Sequence, residues 1–413
     1  MLKQNLLTVT SSPSSLIPLE LRVHKRDKVA DLNTDSFTQT TTTSWLSRIG
    51  SSLVGVLIGI ILLPSAIVLL SWNEGRAVTA ATGLKRGLGA IVEISTDTAN
   101  PQNNTKLVYL NGTVTGVTPA IDPWSGLSAA GLVRLQRHVE MYQWIERESE
   151  TTSNNLGGSQ TTQKTYTYVL DWSTSPHNSA QFKIPSGHQN PTMPLKSQVF
   201  EANSVKIGAF TLDKSLVQDL NNFEAVQTLT KPPAGYAVQG NTFYKGANPA
   251  QPALGDVRIT YNAIAAQTYS IAAQQNNSTL TTYHDAKNDY KIALIEPGVV
   301  SAQQLFADQA SSEKIITWVC RIGGFLMLLI GFNLIMGPLA MLVAFLPFLQ
   351  GLVGAGTFLV ALGLAIPIAL VTIAVAWLAS RPLLGGGLLI AAVGAAWAIR
   401  NVAVKKKAAT ARA

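Results

Sequence analysis

Two histidines are the residues whose types come closest to supporting catalysis. His188 follows Ser186 by two positions in a turn rich in Gly and Pro, and a histidine beside a serine can activate that serine as a nucleophile. The turn lacks the strand, Gly-x-Ser-x-Gly and helix context that exposes a catalytic serine. We therefore favour a hydrogen-bonded loop histidine at this position.

The second histidine, His138, alternates with Glu140 along a predicted strand and could form an acid–base pair or a weak metal site. No other histidine accompanies it at metal-ligand spacing, so a solvated strand face is the favoured interpretation. Glu146, Glu148 and Glu150 continue the same alternation. Glycosidase carboxylates must face each other across a cleft, whereas three on one strand are typical of an exposed strand end.

The sequence contains neither a P-loop nor a dinucleotide-binding fingerprint, and its single cysteine, Cys320, cannot form a disulfide within one chain. The Gly-Gly-Gly run at residues 385–387 lies in a predicted span and follows no strand, so it is not a phosphate loop. We predict no catalytic residues, no cofactor and no metal, and hence a protein that is not an enzyme.

A charged and polar group ends the first long apolar segment, residues 49–72. Its members are Asn73, Glu74, Gly75 and Arg76. Glu74 and Arg76 could dock this segment against the C-terminal helices, near Arg321 or Arg381. An interfacial charge cluster without a specific partner explains the pattern equally well.

The elements that position these residues begin with that apolar segment, whose 24 residues carry no charge. At about 1.5 Å per residue, a helix of this length covers a hydrocarbon core of about 30 Å. We predict an uncleaved anchor at 49–72, preceded by a disordered cytoplasmic tail at 1–48. Gly55-x-x-x-Gly59 would allow close helix approach, although glycine is also simply common in membrane spans.

A second membrane block is predicted at residues 315–399. It comprises spans at 315–336, 352–379 (kinked near Pro367) and 383–399, with an interfacial or re-entrant segment at 339–350. Four spans in total place both termini on one side. A five-span alternative remains if residues 337–380 cross twice as a hairpin.

Between the membrane segments, residues 73–314 are predicted to form a β-rich extracytoplasmic or lumenal domain. Apolar and polar residues alternate over 133–145, and shorter strands are predicted at 90–94, 106–117, 166–172, 206–212, 257–261 and 290–295. Short helices are predicted near 216–223 and 301–309, the latter with Ser301 in a capping box. The fold class is therefore α+β, with helical transmembrane spans (one N-terminal, about three C-terminal) enclosing a β-rich extracytoplasmic domain.

The charge distribution supports this topology. Residues 315–413 contain seven Lys and Arg and no Asp or Glu, including the basic tail at 400–413, so the tail is predicted to be cytoplasmic. Residues 73–314 contain 18 basic and 19 acidic residues. A nearly neutral soluble domain argues against nucleic-acid binding.

Three short motifs resemble those of the LUMA family (transmembrane protein 43 family). They are residues 72–78 (Trp-Asn-Glu-Gly-Arg-Ala-Val), residues 139–144 (Val-Glu-Met-Tyr-Gln-Trp, with Glu140, Tyr142 and Trp144), and residues 185–191 (with His188 and Asn190). The order of spans also fits, with Arg381-Pro382 between the last two helices. The resemblance runs from about residue 35 to residue 400, so residues 1–34 are an extension to the family pattern.

The resemblance implies a membrane protein without catalytic residues to transfer. In animals it implies a scaffold of the endoplasmic reticulum and inner nuclear membrane, linked to the lamina and emerin. The Gln- and Ala-rich composition favours a bacterial member, which would occupy the bacterial inner membrane and lack the nuclear partners.

The function we predict is a non-enzymatic scaffold. Its partners would be the lipid bilayer and either further copies of itself, as a homo-oligomer, or other membrane proteins. A channel or transport component is the alternative, with Asn333 as a polar residue inside a span. A membrane-surface hydrolase using His188 or His138 as base is the second alternative.

Overall fold

The computed structural model describes residues 35–343 and 347–378, together with nine helical positions between 383 and 400. The helices are α1 (Trp45–Ala90), α2 (Lys214–Asp219), α3 (Ala302–Leu342) and α4 (Pro347–Leu378), and 3-10 turns lie at Pro101–Asn103 and Ser179–Gln181. The strands are β1 (Asp35–Thr43), β2 (Val92–Glu93), β3 (Leu107–Thr118), β4 (Arg134–Asn154), β5 (Gln160–Ser173), β6 (Gln198–Glu201), β7 (Ser204–Ile207), β8 (Phe210–Leu212), β9 (Glu224–Ala225), β10 (Ala237–Gln239), β11 (Thr242–Lys245), β12 (Val257–Ile264), β13 (Gln267–Asn276), β14 (Thr279–Thr281), β15 (Tyr283–His284), β16 (Lys291–Ile292) and β17 (Leu294–Pro297).

Three described helices are long and apolar enough to cross a bilayer. They are Trp45–Ala90, Ala302–Leu342 and Gly351–Leu378, one before and two after the strands. The mixed helix and strand architecture predicted from the sequence is therefore confirmed at this level. Most of the predicted last span, 383–399, lies outside the described residues, as do Arg381, the tail at 401–413 and residues 1–34.

Helix α1 is much longer than the predicted anchor. It begins at Trp45, where the Ser44 side chain accepts a hydrogen bond from the Ser47 amide, and it continues 18 residues past Trp72. The predicted span at 49–72 lies within this helix, which continues beyond it because returning charge marks the end of the apolar environment and does not interrupt a helix. Residues 73–90 are consequently helical and not part of the strand-rich domain.

Helices α3 and α4 correct the predicted boundaries of the second membrane block. The Ser301 side chain caps α3 by accepting from the Gln304 amide, as the sequence predicts. The helix runs through Pro338 to Leu342, since proline is tolerated in membrane helices where neighbouring groups satisfy the freed carbonyl. The predicted separate segment at 339–350 is therefore divided between α3 and α4. Residues 347–378 form one helix and not a hairpin.

Helices α1 and α3 pack closely where glycines remove the side chains between them. A Cβ atom on Gly59 would lie only 2.6 Å from the Gly331 carbonyl oxygen, and one on Gly324 would lie 2.6 Å from the Leu70 side chain. Of the predicted glycine pair, Gly59 makes this contact, whereas Gly55 has ordinary clearance from Leu334 at 3.5 Å. Small residues thus bring two helices of the same chain together.

The β-rich body comprises β2–β17 and α2. Its strands form two main sheets, and β1 adds an edge strand to the first of them. The first has the strand order β1-β5-β4-β12-β11-β10, with β6 also paired to β4 and β9 to β12. The second has the order β17-β13-β14-β8-β7-β3-β2, with β13 also paired to β3, and β15 pairs with β16 separately. The predicted strand at 206–212 is interrupted at Gly208, whose φ of +56° makes the turn between β7 and β8.

Three hydrophobic clusters form the core of the body. Val108, Ile207 and Leu216 belong to the cluster under the second sheet, and Val139 and Ile259 to the cluster under the first. A third cluster joins the body to the helices and contains Leu84 of α1 and Phe306 of α3. The apolar core therefore continues from the sheets into the helix pair.

The β4–β5 hairpin projects from the body, and β1 adds a third strand to it. β1 pairs along its whole length with β5, from Asp35 opposite Tyr168 to Thr43 opposite Gln160. The prediction of a disordered tail through residue 48 is therefore wrong from residue 35 onwards. Threonine has high strand propensity, and the free edge of β5 supplies the partner that the local sequence does not reveal. We call residues 35–43, 146–154 and 160–168 the polar extension.

The variant Gly59→Val should weaken the packing of α1 on α3. The added side chain meets backbone at 2.6 Å, so the helices must separate, and we expect a loss of about 1–3 kcal/mol in unfolding free energy. Thermal unfolding of the full chain in detergent, followed by tryptophan fluorescence, measures the loss. Gly75→Val is the matched control, because nothing lies within 4 Å of its Cβ position. Equal unfolding temperatures for both variants would contradict the packing.

Candidate functional site

A buried ion pair joins the three membrane helices where the apolar part of α1 ends. Arg321 of α3 donates from Nε and Nη2 to the two carboxylate oxygens of Glu74, at 2.6 and 2.8 Å. Trp377 of α4 donates its indole N–H to the same carboxylate. Glu74 is 1% exposed, so its charge is stabilised by these protein partners and not by water.

The residues around Glu74 extend this network along α1. Asn73 is buried and its side-chain amide donates to the Thr317 carbonyl oxygen at 3.0 Å. Arg76 pairs with Glu313 of α3, whose carboxylate also accepts from the Tyr290 hydroxyl at 3.0 Å. The sequence hypothesis named Arg321 or Arg381 as partners of Glu74 and Arg76. The structure brings Arg321 to Glu74 and gives Arg76 a different partner.

Beyond the ion pair, the last turns of α1 dock onto the body. Arg86 forms a bidentate ion pair with Asp285, and the Arg86 guanidinium holds the pKa of that carboxyl below its ordinary 3.8. Asn288 donates to the Thr79 carbonyl oxygen at 2.8 Å. Gly83 allows the Tyr290 ring to lie directly against the helix. These contacts fix the orientation of the body relative to α1.

A cleft of about 240 Å³ lies beside the ion pair, and Lys314 and Trp318 contribute to its lining. Small-molecule sites are commonly about 300–1,000 Å³. The guanidinium of Arg321 lies 5.0 Å from the Trp318 ring and 5.3 Å from the Trp377 ring. Of the charged residues that face the cleft, Glu74 pairs with Arg321 and Glu313 pairs with Arg76, so the arrangement is suited to holding helices together.

His188 occupies a structural position in the body. It is 3% exposed, its Nδ1 lies 2.9 Å from the Ile184 carbonyl oxygen, and its ring stacks on Tyr168 with 4.0 Å between centroids. Its Nε2 lies 3.4 Å from the Asp35 carboxylate of β1. Ser186 is exposed in the adjoining turn. His188 therefore joins β1 to the hairpin.

The other motif residues also make structural contacts. Asn190 accepts from the Trp144 amide at 2.7 Å and donates to the Trp144 carbonyl oxygen at 2.9 Å, which fixes the turn against β4. Trp144 packs edge-on against His188 at 4.8 Å between centroids. The Tyr142 ring lies 5.3 Å from that of Trp172.

Glu140 forms a bidentate ion pair with Arg258 of the neighbouring strand, at 2.6 and 3.0 Å. Its carboxylate is therefore occupied by a cross-strand partner and not by His138. Lys164 pairs with Glu148 and Glu150 across the hairpin, at 2.6 and 3.4 Å. Among the described residues, no group of three or more His, Cys, Asp and Glu side chains is arranged to hold a metal ion.

Four residues of the junction escaped the sequence analysis: Asp285, Glu313, Thr317 and Trp377. The spacing of Glu313 and Thr317 from Arg321 is a signal that points to them, because residues four apart share one face of a helix. Gly75, in contrast, was a candidate, yet it is exposed and nothing lies within 4 Å of its Cβ position.

A β-rich body joined by polar contacts to two of three apolar helices, which are themselves joined through Glu74, defines a multi-pass membrane protein. The comparison with protein families identifies which one: the family model described as Transmembrane protein 43 matches residues 141–382, and the chain belongs to that family. The match includes His188, Asn190 and Arg321, while the residues at 73–76 lie before it.

Relatives of this family cover most of the chain. The mouse Transmembrane protein 43 is 31% identical and the human protein 30% identical over 353 residues, in each case 82% of this chain and 88% of the relative. The Drosophila melanogaster homolog is 28% identical over 360 residues, which is 84% of this chain and 94% of the relative. These names describe a membrane protein and state no enzymatic activity. No solved structure matches the chain.

Replacing Glu74 with leucine should destabilise the helix junction strongly. Arg321 would then lie in the junction without its counter-charge, and removing one partner of a buried pair costs about 3–5 kcal/mol. The double variant Glu74→Leu/Arg321→Met should recover much of this loss, since neither charge remains. Urea unfolding in detergent measures the unfolding free energy of the wild type, the single variant and the double variant.

The control for these variants is Arg147→Met. It breaks the ion pair of Arg147 with Asp171, whose side chains are 62% and 51% exposed. We expect a change below about 1 kcal/mol there. If Glu74→Leu were as mild as this control, or if the double variant were no more stable than the single one, the proposed role of the pair would be wrong.

Proposed function

We propose that this protein is a non-enzymatic membrane scaffold. The observation that carries the proposal is the unbroken set of polar contacts from α4 through α1 and α3 to the body, through Glu74, Glu313 and Asp285. Buried contacts of this kind hold the body at one fixed orientation to the bilayer. A fixed platform at the membrane surface is what a protein that organises other membrane proteins requires.

In this proposal the body lies on the extracytoplasmic or lumenal side. Its support is the basic tail at 400–413, which the span predicted at 383–399 carries to the membrane side opposite the body, since cytoplasmic segments next to membrane spans are enriched in Lys and Arg. Trp72 and Trp318, which are 59% and 60% exposed, adjoin the Glu74–Arg321 level, where an aromatic belt at the body-side interface is expected.

Neither alternative function gains comparable support. A hydrolase would need His188 available as a base, and this side chain is buried in contacts with Ile184, Tyr168 and Asp35. A channel lined by α3 would need Asn333 to face an aqueous path, and Asn333 instead donates to the Leu329 carbonyl oxygen of its own helix at 3.0 Å.

The test is recovery of partners from native membranes after chemical crosslinking. We expect the wild-type chain to retain a reproducible set of other membrane proteins. Glu74→Leu, which loosens the packing of the three helices that carry the body, should retain several-fold less. Asp289→Asn, which removes an exposed partner of His284 outside the polar extension, should behave as wild type. Recovery of the wild-type chain without any other membrane protein would overturn the scaffold proposal.

A further inference from the structure

The polar extension reaches from the body to the opposite end of the membrane helices. At its tip the Gly158 carbonyl oxygen accepts from Arg48 Nη1 at 2.6 Å, and a Cβ on Gly158 would lie 2.6 Å from the Trp45 ring. At its base Asp35 contacts His188 of the body. The extension therefore connects the body to the first turn of α1.

The length of the polar extension equals the thickness of the hydrocarbon core of a bilayer. Nine residues of a strand at about 3.3 Å each cover about 30 Å, and the hydrocarbon core is about 30 Å thick. The body packs on α1 near Gly83 and Gly87, beyond the apolar part of the helix at 49–72, while the tip lies before it. The extension and the membrane-crossing part of α1 hence lie at the same depth.

The extension is polar on both faces and open at both edges. The residues of β1 and of 146–154 are nearly all exposed Thr, Ser, Gln, Asn and Glu. In the described part of the chain, β1 pairs only with β5, and the pairing of β4 with β12 and β6 ends at Met141. The outer edges of β1 and of 146–154 thus lack strand partners.

Lipid cannot surround such a surface. Unpaired backbone groups in hydrocarbon cost several kcal/mol each, and open sheet edges do not occur there. The contacts within one chain leave the apolar helices on one side and two free polar edges on the other. A further protein strand at each edge satisfies the backbone groups.

We propose that a second copy of this chain supplies these strands. The β1 edge of one copy pairs with the 146–154 edge of the next, so that the extensions close into a ring with a polar interior and the apolar helices outside. β1 and β4 both flank β5 in antiparallel fashion and so run in the same direction. Copies inserted with one orientation therefore form a parallel ladder between these two edges.

The two edges suit each other in chemistry as well as length. Each is nine residues long. Residues 35–43 are rich in Thr, residues 146–154 combine Thr and Ser with Glu and Arg, and pairs of Thr and Ser stabilise neighbouring strands. Within the chain, the hydroxyls of Thr38 and Thr165 already lie 3.2 Å apart across one such pair. Because the edges differ from each other, pairing is head-to-tail, the arrangement that generates rings. This inference rests on the proposed scaffold function and names a second copy of the chain as the first partner of the scaffold.

The experiment joins two tagged copies of the full chain, each with Cys320→Ser and one new cysteine. One copy carries Thr40→Cys on β1, and the other carries Ser149→Cys, Thr151→Cys or Ser153→Cys on β4, three positions on the same face as Thr40 in the paired register. Three positions are needed because ring closure staggers neighbouring strands. A short bis-maleimide is applied to native membranes, and products with both tags are counted separately from products that join one tagged copy to another protein.

We expect one of the three combinations to give at least ten-fold more two-tag product than two differently tagged Thr40→Cys copies, the matched control for like-to-like contact. Cysteine variants that keep the wild-type unfolding temperature qualify for the comparison. The ring is contradicted if no combination exceeds the control, if like-to-like product dominates, or if Thr40→Cys links instead to a different protein. Since other membrane proteins can still be recovered with the chain in that case, failure of the ring is distinguishable from failure of the scaffold.

Discussion

The carboxylate of Glu74 is the contact on which the arrangement of the molecule depends. Apolar helices gain nothing from meeting each other in lipid, so close packing and polar contacts must decide how they assemble. Glu74 accepts hydrogen bonds from both Arg321 and Trp377 and so places α1, α3 and α4 relative to one another. At a second place along α1 and α3, the contact between Gly59 and Gly331 lets these two helices approach closely.

The position of the body follows from the helices that carry it. Helices α1 and α3 continue beyond their apolar parts, and their projecting turns hold the strands through Arg86, Glu313 and Phe306. The body is thus attached by two rigid helices and a shared apolar core, whereas flexible linkers would leave it mobile. Because of this attachment, the arrangement of the helices in the membrane also fixes the orientation of the sheets.

The sequence predicts features that depend on local pattern. Apolar length indicates the spans, alternation indicates β4, and Ser301 is recognisable as a helix cap. Features that depend on distant partners are not predictable in this way. The Thr-rich β1 resembles a disordered tail until the edge of β5 is known, and Glu74 lies 247 residues from Arg321 and 303 from Trp377. Charge at the end of the first span suggested Arg321, but nothing local indicated Trp377.

Amide hydrogen exchange of the full chain in lipid nanodiscs tests the central claim, that helices and body form one unit. Residues 73–90 of α1 and 302–314 of α3 lie outside the apolar segments, so their contacts with the other helices and with the body must protect them. The account predicts that both segments exchange as slowly as the buried strand β3. Exchange of either segment within seconds, as in an unsupported helix, would contradict it.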